Sequence, residues 1–555
     1  MITGILWEFY LTVGKWIKFA GVLRRNLPNI YFGRNPTSVS APAIIIFPYQ
    51  PNIISCGITG IVTLKTIPAS HENNIFAKLH QCVEVFSHNL PHQINDNNDK
   101  LLYELETIVK SLVGEENIAK LFTDANLLKE VEKTVSKFKT TLQQALAYRE
   151  QTARQLSSAQ QERLNHRILL LEDIAWQLEK DVLANIPLLA KLMHCQAGDK
   201  ISHSALKQFI KINFILNSIN RLEVRGRDSA GLQINFAVKD DASFQDVLTE
   251  IKAQNIYDEF VERQQTNELL DGAIHFHKQS GNICNVSFAY KTFSVVGALG
   301  RNVKKLRQAI AGDKILKLFT KLESINETAF SHTRWASVGS ITEENCHPIN
   351  NYTKDKQTPC QTSVVLNGDI DNYLSLRSQL EEEGYFISDD VSTDTKIIPI
   401  LIDKHLKEGN SFAESFRLAV NTFEGSHAIA VISDVELGKV YLAVKGSGQT
   451  IYVGITNDGF IFSSEIYGIV EVARSFVKMD GELLSGNNAN GNSSGQIFVL
   501  NQNDLAGISA ISASFYDGTP ITLHEQDVLQ AEITTRDIDR AKYPHYFLKE
   551  IMESP

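Results

Sequence analysis

The chain has 555 residues, 43% hydrophobic and 21% charged, an ordinary globular composition with enough length for roughly two to four packed units. That excludes a disordered tail or a fibre, and a formal charge of −10 leaves no electrostatic footprint for a phosphate backbone, so nucleic acid is not an expected partner. Six cysteines (Cys56, Cys82, Cys195, Cys284, Cys346, Cys360) lack CxxC or other metal-ligand spacing, which points to mostly buried thiols in a reducing, cytoplasmic setting with no metal site.

The opening MITGILWEFYLTVGKWIKFAGVL is apolar, but Glu8, Lys15 and Lys18 interrupt it before spanning length and no small-residue cleavage site follows. It reads as an amphipathic helix, with membrane-surface contact the less favoured alternative. The segment AIIIFPYQPNIIS is β-branched and proline-punctuated, hence extended, and runs into Cys56. From about Glu72 to Leu192 the texture turns helical. Leu128, Val131, Val135, Phe138, Leu142 and Ala145 form one stripe at spacings of three and four, and Leu164, Ile168, Leu171, Ala175, Leu178 and Val182 a second, predicting a helical hairpin closed by Pro187. These stripes read as buried faces, not as ligand contacts.

After residue 215 short β-branched runs (SVVLNGDI, AIAVISDV, KVYLAVKG, TIYVGI, GFIFSSE) alternate with amphipathic helices (LSLRSQLEEEGY, TKIIPILIDKHLKEG), which predicts an α+β domain with antiparallel strands. The tail KYPHYFLKEIMESP is again helix-like. No glycine-rich phosphate loop or long repeat occurs, and no cofactor is implied.

Alone, a cysteine such as Cys56 at the end of an apolar run reads as a core thiol. Five ordered segments change that: CGITGIV from residue 56, LEVRGRDSAG (222–231), SHTRWASVG (331–339), VVLNGDIDN (364–372) and STDTK (392–396). In order and wording they resemble the glutaminase domain of glucosamine-6-phosphate synthases, class II glutamine amidotransferases that read CGI, RGYDSAG, HTRWATHG, NGIIEN and TDTE. FEGSHAIAVI, KGSGQTIYVG and FIFSSEIYGIV continue the likeness, which covers about half the chain discontinuously.

The resemblance implies an N-terminal-nucleophile (Ntn) hydrolase-type αββα sandwich and hydrolysis of glutamine to glutamate and ammonia. In the family an N-terminal cysteine attacks and its own α-amine, with a reference pKa of about 8, serves as base; by likeness Cys56 is that nucleophile. Asn367 and the Gly368 N–H would form the oxyanion hole, against the rival reading of an Asn-Gly hairpin turn. Arg334 would clamp the substrate carboxylate, against a surface ion pair. Asp394 would hold the α-ammonium, against a helix N-cap for which Thr393 or Ser392 is the alternative residue. Ser337 stands for the family's threonine, Arg225 and Gly226 would pack against the nucleophile, and Trp335 would cover the bound amino acid.

The pattern also departs from the family. Arg227, Val338 and Lys396 replace its tyrosine, histidine and glutamate, and a helical insertion (71–215) separates the first strand (56–70) from the remainder of the domain (216–540). Residues 1–55 make the Cys56 nitrogen an amide, which is no base. Either they are removed between Ser55 and Cys56, or hydrolysis is impaired and the chain is a glutamine-binding or scaffold module. Residues 541–555 resemble the linker into the sugar-isomerising half, so the expected partner is a sugar-isomerase domain or chain receiving ammonia for glucosamine 6-phosphate synthesis from fructose 6-phosphate. Homo-oligomerisation is left open. HTRWAS and HYFLKEI speak against purine-pathway or asparagine-forming relatives.

Overall fold

The structure is a computed structural model that describes residues 56–64, 75–88, 96–152, 154–264, 268–279, 281–294, 298–354, 360–485, 494–504, 507–539, 543 and 546–553. The expectations for residues 1–55, including the amphipathic helix and the scissile loop, lie outside the described residues.

Strand β1 (Gly57–Thr63) is followed by helices α1 (Ile75–His88), α2 (Asp96–Leu112), α3 (Glu115–Thr123), α4 (Ala125–Thr152), α5 (Ser158–Trp176), α6 (Asn185–Met193) and α7 (His203–Leu222). The expected stripes bury Val131, Val135, Phe138 and Ala145 on α4 and Leu164, Ile168, Leu171 and Ala175 on α5, and the two helices pack together. Pro187 does not close the second stripe. A π-helical stretch, Gln177–Leu183, carries it on to Leu178 and Val182, and Pro187 sits in the first turn of α6, where a missing N–H breaks no helical bond.

Strands β2 (Ser229–Lys239), β3 (Ile274–Gln279), β4 (Ile283–Phe293) and β5 (Ser324–Arg334) follow, with α8 (Ala242–Ala253) and α9 (Tyr257–Glu262) after β2 and α10 (Arg301–Gly312) and α11 (Lys314–Phe319) after β4. Then come β6 (Ile349–Asn350), β7 (Thr362–Gly368), α12 (Tyr373–Glu382), α13 (Ile397–Lys407), α14 (Phe412–Asn421), β8 (His427–Ser433), β9 (Lys439–Lys445), β10 (Thr450–Ile455) and β11 (Gly459–Ser463). The last elements are α15 (Ile466–Ile469), β12 (Ser475–Asp480), β13 (Gln496–Asn501), β14 (Ile511–Phe515), β15 (Pro520–Ile521), β16 (Leu529–Gln530) and α16 (Tyr546–Glu553).

The strands make two antiparallel sheets, so the α+β class holds. One has nine strands in the order β16-β12-β10-β11-β1-β5-β2-β4-β3, the other seven in the order β15-β14-β13-β9-β8-β7-β6. Side chains alternate across a strand. Ile58, Val62, Phe330 and Phe462 of the first sheet meet Val365, Ala430, Leu442 and Phe498 of the second in one core. The opposite parity of the first sheet, Ala329, Leu232 and Ile234, belongs to the core formed with α1–α11. The opposite parity of the second, Leu366, Ile429 and Val431, packs against α12–α14.

Helix α7 ties the helical stretch to β1: Ser218 Oγ donates to Thr59 Oγ1 at 2.8 Å, and a Cβ added at Gly57 would lie 2.8 Å from Leu222 Cβ. The change of texture read at residue 215 falls inside this continuous helix. Nearby, the buried Lys211 ammonium bridges Glu115 at 3.3 Å and Glu327, so the charges are buried as a group. No helix among the described residues is long and apolar enough to cross a membrane.

Candidate active site

Strand parity decides what gathers at one end of the two sheets. Phe330, His332 and Arg334 point from β5 towards the second sheet, and β7 aims Val365 and Asn367 back. Gly57 pairs with Thr333. One residue earlier on the same antiparallel register, Cys56 stands across from Arg334 with the parity of Ile58. Its half-buried thiol is held by the Trp335 backbone: Trp335 N–H donates to Sγ at 3.2 Å, and Sγ donates to Trp335 O at 3.5 Å. Burial pushes the thiol up to about 12, with the Trp335 N–H and Arg334 opposing and Asp394 and Asp369 adding to the rise.

Two glycines permit this approach. A Cβ at Gly226 would lie 2.5 Å from Arg334 C, and its carbonyl accepts the Thr333 hydroxyl. Gly368 has φ 81°, and a Cβ there would lie 2.1 Å from Ser426 O. Asn367 and Gly368 close β7, and the chain continues into α12, so no Asn-Gly hairpin forms here.

Arg334 is buried and donates through Nη1 to Ser340 O at 2.9 Å and through Nη2 to Val338 O. A surface ion pair is thereby ruled out, and the guanidinium shapes the 336–340 loop from beneath. Ser337 Oγ donates to Asp369 Oδ1 at 2.5 Å. Thr393 is the N-cap of the 3-10 turn Asp394–Lys396, which frees Asp394 from capping. Asp394 is buried, accepts from Ile370 N–H at 2.9 Å, and is pushed up to about 6 by burial and by Asp369 against that N–H. Trp335 is 40% exposed. The Arg225 guanidinium binds Glu465 and the Tyr467 hydroxyl (3.2 Å). Tyr467 O accepts from Arg221 Nε (2.9 Å), and Arg221 pairs with Glu471 at 2.7 Å.

Four further residues were not singled out from sequence. His332 Nε2 donates to Leu366 O (2.8 Å) and lies 3.2 Å from Asn367 Oδ1, so it fixes the amide that β7 presents. Burial holds its imidazole down to about 3, hence neutral, and the His347 ring lies tilted against it with ring centroids 4.3 Å apart. Asp228 Oδ2 accepts from Ala336 N–H at 2.9 Å. Buried Asn345 accepts from the Ser392 and Thr393 N–H groups (2.8 and 2.9 Å), and the two hydrogens of its Nδ2 are shared among Ser340 Oγ, Thr342 Oγ1 and Asp390 O at 2.9–3.0 Å. His332 and Asp228 lie inside the quoted segments, whereas Asn345 and His347 lie in an irregular stretch with no periodic signal. Asn345→Ala strands two backbone N–H groups, so unfolding by urea should show a loss of about 2–4 kcal/mol; an unchanged midpoint would contradict the bracing role.

Of the departures, Lys396 is fully turned inward, its ammonium 2.6 Å from Glu268 and 3.3 Å from Asn350 Oδ1. Val338 contributes only its carbonyl to Arg334, and Arg227 O accepts from Asn302. Among the described residues no cluster of His, Cys, Asp and Glu would hold a metal ion.

Residues 342–471 match a family model described as a glutamine amidotransferase domain, a span that includes Asn367, Gly368 and Asp394 but not Cys56 or Arg334. The chain is similar to proteins named glutamine–fructose-6-phosphate aminotransferase [isomerizing]. The one from Shewanella oneidensis is 28% identical over 48% of this chain and 39% of its own length. That from Pseudomonas syringae pv. tomato is 29% identical over 53% and 41%, and that from Geobacillus kaustophilus 30% over 42% and 33%. The chain thus spans about two fifths of the length of the curated relatives it matches. A solved structure titled as the allosteric regulatory enzyme of purine biosynthesis overlaps 55% of this chain and 46% of its own with a TM-score of 0.34 at 14% identity.

Proposed function

We propose that this chain, which carries a glutamine amidotransferase domain similar to the glutaminase part of glutamine–fructose-6-phosphate aminotransferases, hydrolyses glutamine and passes the ammonia to a sugar-isomerase partner that makes glucosamine 6-phosphate from fructose 6-phosphate. The two sheets with their helical covers are then the αββα sandwich of an Ntn hydrolase. Residues 71–215 are an inserted helical subdomain, 56–70 and 216–540 the domain itself, and 541–555 the start of a linker to the isomerase.

In this reading residues 1–55 are released and the new α-amine of Cys56 takes the thiol proton. Sγ attacks the amide carbon, and the oxyanion is met by the Asn367 side chain and the Gly368 N–H. The protonated amine gives its proton to the departing nitrogen, ammonia leaves, and a thioester remains. Water, deprotonated by the same amine, cleaves it to glutamate. Arg334 has donors beyond the two that its loop carbonyls occupy and grips the carboxylate. Asp394 pairs with the ammonium, Ser337 supplies a hydroxyl, Trp335 covers the substrate, and Arg225 and Gly226 back the strand end.

What carries this reading is the Trp335 backbone bracketing Cys56 Sγ at 3.2 and 3.5 Å, at the sheet end where Arg334 and Asn367 lie. It is tested by glutamate release from L-glutamine by the chain beginning at Cys56. Release should be lost in Cys56→Ala, and equal release by that variant would sink the assignment.

A second reading, an impaired glutamine-binding or scaffold module, is favoured by the thiol's rise to about 12. With its nitrogen still an amide, Cys56 would stay a neutral thiol that binds glutamine without cleaving it.

A further inference from the structure

We propose that the open cavity lined by α6, α7 and α10, whose walls include none of the Cys56 site residues, binds a small phosphorylated molecule of nucleotide size. The cavity has a volume of about 690 Å³, within the range of ligand sites. Its walls divide by chemistry: Leu188, Leu192 and Val303 are apolar, whereas Lys191, Lys304 and Arg307 are cationic. No carboxylate lines it, in a chain whose formal charge is −10.

Charge balance is what singles the cavity out. Arg307 spends Nη1 on Asn213 Oδ1 (2.8 Å) and Nη2 on Asn217 Oδ1 (2.6 Å), neutral amides that aim the guanidinium without cancelling it. Burial pulls it down to about 10, with Glu471 opposing, so the charged form lacks solvation that an anion would restore. Lys191 and Lys304 are both exposed at the cavity wall. The segment 301–321 carries Arg301, Lys304, Lys305, Arg307, Lys314, Lys317 and Lys321 against the single acid Asp313, which is already engaged by Arg263 at 2.6 Å. A neighbouring groove of about 360 Å³ continues the bias with Lys200, Lys314, Lys317 and Lys321, again without a carboxylate.

An apolar wall opposite a cationic one fits a ligand with a flat or apolar body and a phosphate group, since the phosphate answers the cations and the body buries the leucines. A nucleic acid is disfavoured, because its phosphates would run beyond the cationic wall onto a chain of formal charge −10.

The test uses the full chain with ATP and, separately, inorganic pyrophosphate, followed by isothermal titration calorimetry. ATP should bind saturably at one site with Kd under about 1 mM at about 0.15 M salt, and pyrophosphate should compete. Lys191→Glu with Lys304→Glu should weaken ATP by at least about tenfold. Lys129→Glu with Lys133→Glu, exposed on α4, should leave it unchanged. An unaltered thermal melt of both double variants separates lost binding from lost fold. Absence of saturable binding by both probes, equal loss in the α4 control, or a short single-stranded oligonucleotide binding more than about tenfold tighter than ATP would each overturn the proposal. None of these readouts depends on glutamine hydrolysis.

Discussion

Cutting the chain so that Cys56 becomes its first residue should raise glutamate release by at least about 10³-fold over the uncut protein, the general-base contribution of a positioned amine. The measurement compares one preparation before and after a sequence-specific protease acts at a site engineered immediately ahead of Cys56, so fold and concentration are shared. In the uncut chain the thiol, pushed up to about 12, is thiolate in only about one molecule in 10⁴ to 10⁵ near neutral pH. The peptide nitrogen before it cannot accept a proton. After the cut an amine of pKa about 8 sits two bonds from Cβ and titrates close to the assay pH. The intact mass of the protein as isolated tells whether the cell has already made this cut. Equal rates before and after cleavage would show that the amine is not the base.

Asp394→Asn should lower kcat/KM for glutamine by about 10² to 10³, mostly through KM, because the amide keeps the shape but loses the charge that answers the ammonium. The Ile370 N–H, 2.9 Å from the carboxylate, still finds an acceptor in the amide oxygen, and relief of repulsion from Asp369 keeps the variant at least as stable as the parent. The pH dependence has a definite sign. A carboxyl raised to about 6 is charged above that pH and neutral below it. Glutamine needs the charged form, so KM should be flat above about 6 and climb by up to tenfold per pH unit as pH falls below it. Asp394→Asn should abolish that climb. Wild-type KM that ignores pH between about 5 and 7 would remove Asp394 from ammonium recognition.

Legibility in the sequence followed the local signals. Runs such as KVYLAVKG and TIYVGI became β9 and β10, and the stripes of α4 and α5 were readable because one helix face alone is buried. Strand β2 was harder to see. Its sequence SAGLQINFAVK is buried from Ser229 to Val238, yet its second-sheet face carries Gln233 and Asn235, which hydrogen-bond to each other at 2.9 Å, Gln233 also meeting Gln361. A buried polar face does not produce the apolar alternation that marks a strand. Around Cys56, wording singled out Arg334 and Asp394 but could not foretell that Arg334 spends two donors on its own loop, or that Arg225 binds Glu465. Those outcomes depend on rotamers and long-range packing. The cationic cavity was hidden for a related reason: net charge averages over the whole chain, whereas a cavity selects a few side chains from α6 and α10.

The place of β1 in the nine-stranded sheet bears on how the protein is made. Its partners are β5 and β11, so Ile58 pairs with His332 and Thr59 with Ser463, closing loops of hundreds of residues. Loop-closure entropy and high contact order make such pairings slow and late. A ribosome-bound chain therefore holds Cys56 outside any finished sheet until β11 has emerged. Fragments ending before Gly459 should leave that edge of β1 open, and the thiol cannot reach its final setting before Arg334 and Trp335 have emerged.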